Sequence, residues 1–229
     1  MISPLAAQIV NDSLFVARAE QNMNSIYTSR LESKAGLYNG KMYHQDLKLD
    51  QGGHTLFKDN QYTEGTIIYN GQTYRSVGLM YDLVHDQLVL SVDRAGGVIV
   101  PPEYADSFSL HGHRFINIRL DRSSRNEITP GYYDLLYDGT ISLLAKRTKK
   151  ITETTNQHKV VRTVSQQNRY YLLKNDAYIP INNKKNLLTQ LDETHQENQL
   201  FINRNRLNFR KDKEKAMIEL LKFHDSIKE

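Results

Sequence analysis

Residues 66–74 read Thr66-Ile67-Ile68-Tyr69-Asn70-Gly71-Gln72-Thr73-Tyr74. Apolar and β-branched residues stand on both sides of an Asn-Gly pair. A type I′ turn needs positive φ at both central residues, and Asn and Gly tolerate that conformation best. The stretch therefore predicts two antiparallel strands joined by a two-residue turn. Gly131 to Tyr137, then Asp138-Gly139, then Ile141 to Ala145 predict a second hairpin of the same kind.

The same alternation of strand and turn extends in both directions. Upstream, Tyr38-Asn39-Gly40-Lys41 carries another Asn-Gly signal, and Asp50-Gln51-Gly52-Gly53 reads as a loop. Downstream, a break at His85-Asp86 separates Leu79–Leu83 from Gln87–Val92, and Arg94-Ala95-Gly96-Gly97 turns into Val98–Val100. Pro101-Pro102 stops that strand, because proline cannot donate to a central ladder. Phe108–Leu110 and Phe115–Leu120 flank His111-Gly112-His113, and Asn175-Asp176 joins Tyr170–Leu173 to Tyr178–Ile181. Turns recur with no helical period between them, so the sheet is expected to be antiparallel and locally connected. The polar stretch Thr148–Gln167 is expected to be a long, mobile hairpin end.

Helical periodicity brackets this region. Leu14, Ala17, Met23, Ile26 and Tyr27 predict an N-terminal helix ending before Gly36. After Asn183, the trio Leu187, Leu188 and Leu191 shares a helical face, and Leu200, Phe201 and Leu207 suggest a short second helix. Asp212 is placed to cap a helix whose stripe is Ala216, Met217, Leu220, Leu221, His224 and Ile227. The fold class is α+β: a predominantly antiparallel β meander, its closure into a barrel left open, with an N-terminal helix and C-terminal amphipathic helices. The expected organisation is a leader remnant (1–7), the N-terminal helix (8–35), the β domain (36–182) and a helical segment packed on it (183–229). Ile2-Ser3-Pro4-Leu5-Ala6-Ala7 resembles the end of a secretory signal peptide, with cleavage expected before Gln8.

Composition excludes several classes. The chain of 229 residues has no cysteine, which removes disulfides, thiol catalysis and thiolate-held metals. With 30 basic and 26 acidic residues, the net charge of +4 is too mixed for electrostatic capture of nucleic acid. No apolar run is long enough for a transmembrane helix. There are 14 Tyr against 7 Phe and no Trp, a balance suited to half-buried pleated surface. No glycine-rich phosphate cradle opens a helix, so no nucleotide or other cofactor is implied.

A few constellations could carry chemistry. His111 and His113 could ligate one ion from one face of a strand, but a third ligand is needed and the sequence selects none; a tight turn at Gly112 would splay the rings. Asp82, His85 and Asp86 form either an oriented base or a turn held by aspartate side chains. Strand alternation puts Tyr133 and Tyr137 on one face and Tyr132 on the other, and splits Tyr170 from Tyr171; whichever face is exposed could bind a sugar or a protein.

The segments Tyr38–Lys41, Gly65–Tyr74, Leu79–Leu83 and Asp86–Val89, with Phe108, Phe115, Gly131-Tyr132-Tyr133 and the lysine-rich 182–188 region, resemble exported, signal-peptide-bearing proteins of the Bacteroidetes, a group of uncharacterised function. The resemblance covers most of the chain after Gly36. It implies export to the periplasm or outer membrane and carries over no catalytic residue. A non-enzymatic interaction protein, an accessory or subunit of an envelope complex with an envelope protein partner, is the leading expectation. The alternatives are a β-barrel binding a small apolar or sugar-like molecule, and a metal-assisted hydrolase using His111 and His113.

Overall fold

Ten strands hydrogen-bond into one antiparallel sheet in the order β10-β9-β8-β7-β6-β5-β1-β2-β3-β4. They are β1 (Thr63–Tyr69), β2 (Gln72–Asp82), β3 (Gln87–Val92), β4 (Gly96–Ile99), β5 (Ala105–Leu110), β6 (His113–Ile118), β7 (Gly131–Tyr137), β8 (Ser142–Asn156), β9 (Lys159–Lys174) and β10 (Ala177–Ile181). Three helices follow: α1 (Lys184–Gln190), α2 (His195–Arg204) and α3 (Lys213–Ser226). The computed structural model describes residues 36–45, 49–50, 53–92, 96–119, 128–156, 159–191 and 195–227. The expected leader, the N-terminal helix and the turn at Arg94-Ala95 lie outside these residues.

The turn chemistry is local. Asn70 and Gly71 sit at φ of 50° and 74°, and Tyr69 pairs directly with Gln72, the two-residue turn that the sequence predicts. His111-Gly112 and Asn175-Asp176 adopt the same left-handed pair of conformations. Asp138-Gly139 does not. Neither residue has positive φ, and four residues separate β7 from β8. A bulge between Leu135 and Tyr137 shifts the register, and the longer loop absorbs it. Tyr38–Lys41 forms no hairpin either. Met42 bridges to Val98, and Ile99 N donates to Lys41 O at 2.8 Å, so this segment lies along the outer side of β4. Pro180 is tolerated because β10 is an edge strand.

The sheet curls but does not close. Its ladders end at β4 and β10. The curl brings the end of β2 against β8, where Lys149 N donates to Leu83 O at 3.1 Å. Residues 55–57 pair with the same end of β2: Phe57 N donates to Tyr81 O and Leu83 N to Thr55 O. The concave face under β1–β7 is filled by rings. Phe108 stacks on Phe115 with centroids 4.7 Å apart, and Tyr81 meets both edge-on along with Tyr132. A second apolar cluster lies further along the same face. There Leu143 and Leu172 meet Leu187, Leu188, Leu191, Met217, Leu220 and Leu221 from the helices. Asp212 occupies the N-cap of α3 but makes no side-chain cap bond, and Ile227 is exposed. The other face of β7–β9 holds a smaller cluster of Tyr133, Leu144 and Tyr171.

Thr148–Gln167 is a continuous ladder rather than a loose end. β8 and β9 pair without interruption from Ser142↔Leu173 to Asn156↔Lys159.

Because Phe115 is fully buried between Phe57, Tyr81 and Phe108, Phe115→Ala should cost about 3–5 kcal/mol in urea denaturation. A loss below about 1 kcal/mol would show that this ring cluster is not the core of the sheet.

Candidate functional site

Among the described residues, the most deeply buried charge on the concave face, the Asp134–Arg147 pair, lies at the seam between the ring cluster and the helices. Strand parity puts it there. Asp134 pairs with Phe115 on one side and Ala145 on the other, so its carboxylate points to the same face as those core residues. Arg147 follows Leu143 and Ala145 at two-residue spacing on β8 and faces the same way. Glu214 comes from the first turn of α3.

The groups form a chain of contacts. Nδ1 of His113 lies 2.7 Å from Oδ2 of Asp134. Nε of Arg147 donates to that same oxygen at 2.6 Å. The far side of the guanidinium donates to both oxygens of Glu214, each at 3.0 Å, the fork-to-carboxylate geometry that favours arginine. The Tyr170 hydroxyl donates to Glu214 Oε1 at 2.8 Å. Phe57 closes the wall, edge-on to His113 at 5.2 Å and under the Arg147 guanidinium at 5.8 Å. Asp134 is 1% and Arg147 5% exposed at the side chain, so both charges are out of water. Oδ1 of Asp134 is buried with no hydrogen-bond partner.

Burial alone would raise the Glu214 carboxyl. The hydrogen bonds and charge of Arg147, with the Tyr170 hydroxyl, outweigh burial and hold it below the usual carboxylate value. Burial and then the Glu214 bond and charge push Tyr170 up to about 12. Burial works against the Arg147 charge, but Glu214 and Asp134 together raise its pKa.

Two further aspartates organise the β2–β3 turn. Asp82 Oδ1 accepts from the backbone N–H of Val84 and His85, and its Oδ2 meets the Tyr43 hydroxyl at 2.9 Å and His85 Nδ1 at 3.0 Å. Asp82 is thus an aspartate-held turn. Asp86 reaches across the curl instead. Its Oδ1 accepts from Tyr81, and its Oδ2 accepts from Lys146 Nζ at 2.6 Å and Tyr132 N at 3.3 Å. Gly131, at φ 127°, leaves the space; a Cβ there would collide with Asp86 Oδ2 and Lys146 Nζ.

The residues singled out in sequence are dispersed by this arrangement. His111 sits in the β5–β6 turn 3.5 Å from Asp59, whereas His113 is held by Asp134. Among the described residues no group of three or more His, Cys, Asp or Glu could hold a metal ion. Tyr132 and Tyr133 are buried on opposite faces, and Tyr171 packs on Tyr133. Tyr137 corrects the parity expectation. The bulge after Leu135 moves it from the face of Tyr133 to that of Leu143, where its hydroxyl donates to Asp225 at 2.7 Å. Tyr170 and Tyr171 do split between faces. The roles of Asp134, Arg147 and Glu214 escaped sequence reading, although for the first two a signal was available: Asp134 interrupts the apolar run Tyr132-Tyr133-Asp134-Leu135, and Lys146-Arg147 continue the apolar run Leu143-Leu144-Ala145.

Chemically, a carboxylate that accepts from Nδ1 fixes the His113 tautomer and leaves Nε2 as its free nitrogen. Among the described residues no hydroxyl or amine is hydrogen-bonded to Nε2, so no nucleophile is activated there. The strongest interactions of the cluster instead join β6, β7, β8 and α3. Among these residues, no helix is long and apolar enough to cross a membrane. Compared with family models, curated proteins and solved structures, the chain has no match.

Removing one member of a buried ion network strands the others. Arg147→Met should therefore cost about 3–5 kcal/mol, and Asp134→Leu combined with Arg147→Met should cost less than the two single losses added. A strictly additive double variant would show the pair is uncoupled. For pH, Glu214 has a folded pKa below its ordinary 4.5, so its stabilisation is present above 4.5 and is lost as pH falls below it. Tyr170 is raised from 10.0 to about 12, so its contribution is present below 10 and is lost as pH climbs to about 12. The Tm of Glu214→Gln, plotted against pH, should fall less steeply at the acid end than that of the parent; an unchanged acid limb would contradict the assignment.

Proposed function

We propose that this chain is a non-enzymatic interaction protein, exported to the periplasm or outer membrane, where it serves as an accessory or subunit of an envelope complex. The observation that carries this reading is the β8–β9 arm. β7 pairs β8 only through Leu143–Ala145, and β10 pairs β9 only through Tyr170–Lys174. Beyond them, among the described residues, the only ladder of Lys146–Asn156 and Lys159–Arg169 is the one they form with each other, with a single further backbone bond from Lys149 N to Leu83 O at the base. At about 3.3 Å per residue the two-stranded ribbon extends roughly 35 Å.

Such ribbons are marginal by themselves, because one ladder with no packed face does not offset the entropy of ordering it. The base of this one is braced. Lys149 Nζ donates to the carbonyls of His54 and Leu56, and Arg162 N donates to Asp50 at 2.7 Å. Its outer part is exposed from Thr152 to Thr155, and Val160 is 49% exposed. Among the described residues, Thr152–Thr155 have no ladder partner besides β9, so their outer edge suits addition of a partner's strand. The sequence-level resemblance to a secretory leader supports the compartment. A barrel with a ligand-filled lumen has less support, since Phe108, Phe115, Tyr81 and Tyr132 fill the concave face.

Lys150 and Ser165 face each other in the ladder. Replacing residues 151–164 by Asn-Gly should therefore close a shorter hairpin in register, at a cost of about 1–2 kcal/mol for the lost bond to Asp50 and the packing at the base. In detergent-solubilised envelopes the full chain should sediment in a larger complex and the trimmed chain alone. A full chain that sediments as a monomer, or a trimmed chain still in the complex, would overturn the proposal.

A further inference from the structure

The helical segment, with the residues that follow β10, lines a cavity of about 660 Å³. Its charged lining residues are Lys184, Arg206, Arg210 and Lys213, with no carboxylate among them. Ile202, Leu207 and Phe209 supply its apolar part. Four asparagines complete it. The volume lies within the range of small-molecule sites.

The cations converge because three chain segments meet. Lys184 opens α1, Arg206 and Arg210 lie on the connection between α2 and α3, and Lys213 opens α3. The connection is held in shape by its own backbone: Asn208 Oδ1 accepts from the N–H of Arg210 and Lys211 at 3.0 and 2.9 Å, and Arg206 takes a left-handed φ of 53°. Lys213 Nζ donates to Asn182 O at 3.0 Å and lies 4.6 Å over the Tyr170 ring, which ties α3 to the end of β10. Ile202 is buried and Leu207 and Phe209 are half-buried, while Arg206 and Arg210 are exposed. The apolar residues therefore form the floor and the arginines the rim.

Among the described residues Lys184, Arg206, Arg210 and Lys213 form no ion pair, although Arg147, Lys146, Arg119 and Arg162 all do. Asp212, between them in sequence, lines a separate cavity with Lys215 and Glu219, which Arg206 also borders. The Asn183 side chain already accepts from Asn186 N, so the start of α1 is occupied by its own cap. Burial lowers the Lys213 pKa with no compensating charge, the state a bound anion would relieve.

We infer that this cavity binds a small anionic amphiphile, a phosphate or carboxylate head held by Arg206, Arg210, Lys184 and Lys213 with its apolar body on Ile202, Leu207 and Phe209. Arginine forks suit both head groups, and the floor selects against bare inorganic anions. The site is independent of the β8–β9 arm, so its failure leaves the interaction role untouched.

Calorimetric titration of the full chain tests this. Octyl phosphate or octanoate should bind saturably at one site, with the tighter of the two identifying the preferred head. Inorganic phosphate should bind at least about tenfold more weakly, having no methylenes to bury, and octyltrimethylammonium should not bind. Arg206→Asn (Asn accepts left-handed φ) combined with Arg210→Ser should weaken octyl phosphate binding by about tenfold or more. Lys211→Ser, in the same loop but outside the lining, should change it less than about twofold. Circular dichroism and melting confirm that each variant folds, and Lys184→Gln supplies an independent removal of one rim charge with the same direction of effect. Absent saturation, equal loss in Lys211→Ser, equal binding of octyltrimethylammonium, or binding to phosphatidylglycerol vesicles without binding of soluble octyl phosphate would each overturn the inference.

Discussion

The guanidinium of Arg147 holds the two halves of the concave face together. On one side it meets Asp134 of β7, and on the other it grips both oxygens of Glu214 from α3. Nearly all of its charge is removed from water, so its desolvation must be offset by these partners. The Phe57 ring lies 5.8 Å from the guanidinium. Apolar contact alone is indifferent to a sliding helix, but a bidentate pair fixes where α3 starts and which way it points. That position then sets where Lys213, one residue earlier, can stand, and hence where the cationic cavity lies.

Ion networks also divide the molecule's chemistry. His113 has the oriented imidazole of a base but no nucleophile beside it among the described residues. Asp86 and Lys146 make a close pair, yet Asp86 spends its other oxygen on Tyr81 and its remaining contact on Tyr132 N. Asp134, Arg147, Asp86 and Lys146 are each used to fix one chain segment against another.

Much of the sheet was legible because its turns are made by residues with few conformational alternatives. Asn70-Gly71 states its own geometry, and the leucines 187, 188 and 191 state their face. Legibility failed where a bulge intervened. Asp138-Gly139 looks like a tight turn, but the register shift near Leu135 enlarges the loop and reverses Tyr137. Tyr38–Lys41 carried a hairpin signal that was outweighed by the need to cover the outer edge of β4. The charge network was hidden for another reason. Asp134, Arg147 and Glu214 come together from places distant in sequence, and parity predicts a face without naming a partner. The cationic cavity was less legible still, since its lysines and arginines look like ordinary solvated charge until three chain segments are folded together.

The strand order has a kinetic side. Every ladder but one joins strands adjacent in sequence, so two meanders, β1–β4 and β5–β10, can each zip by local contacts. The exception is β1 with β5, which must close the chain between Ile67 and Phe108 before any bond rewards it. Local pairing is fast and distant pairing slow. The seam between β1 and β5 is accordingly the ladder expected to close last, and its closure is what brings Tyr81 from one meander against Phe108, Phe115 and Tyr132 of the other.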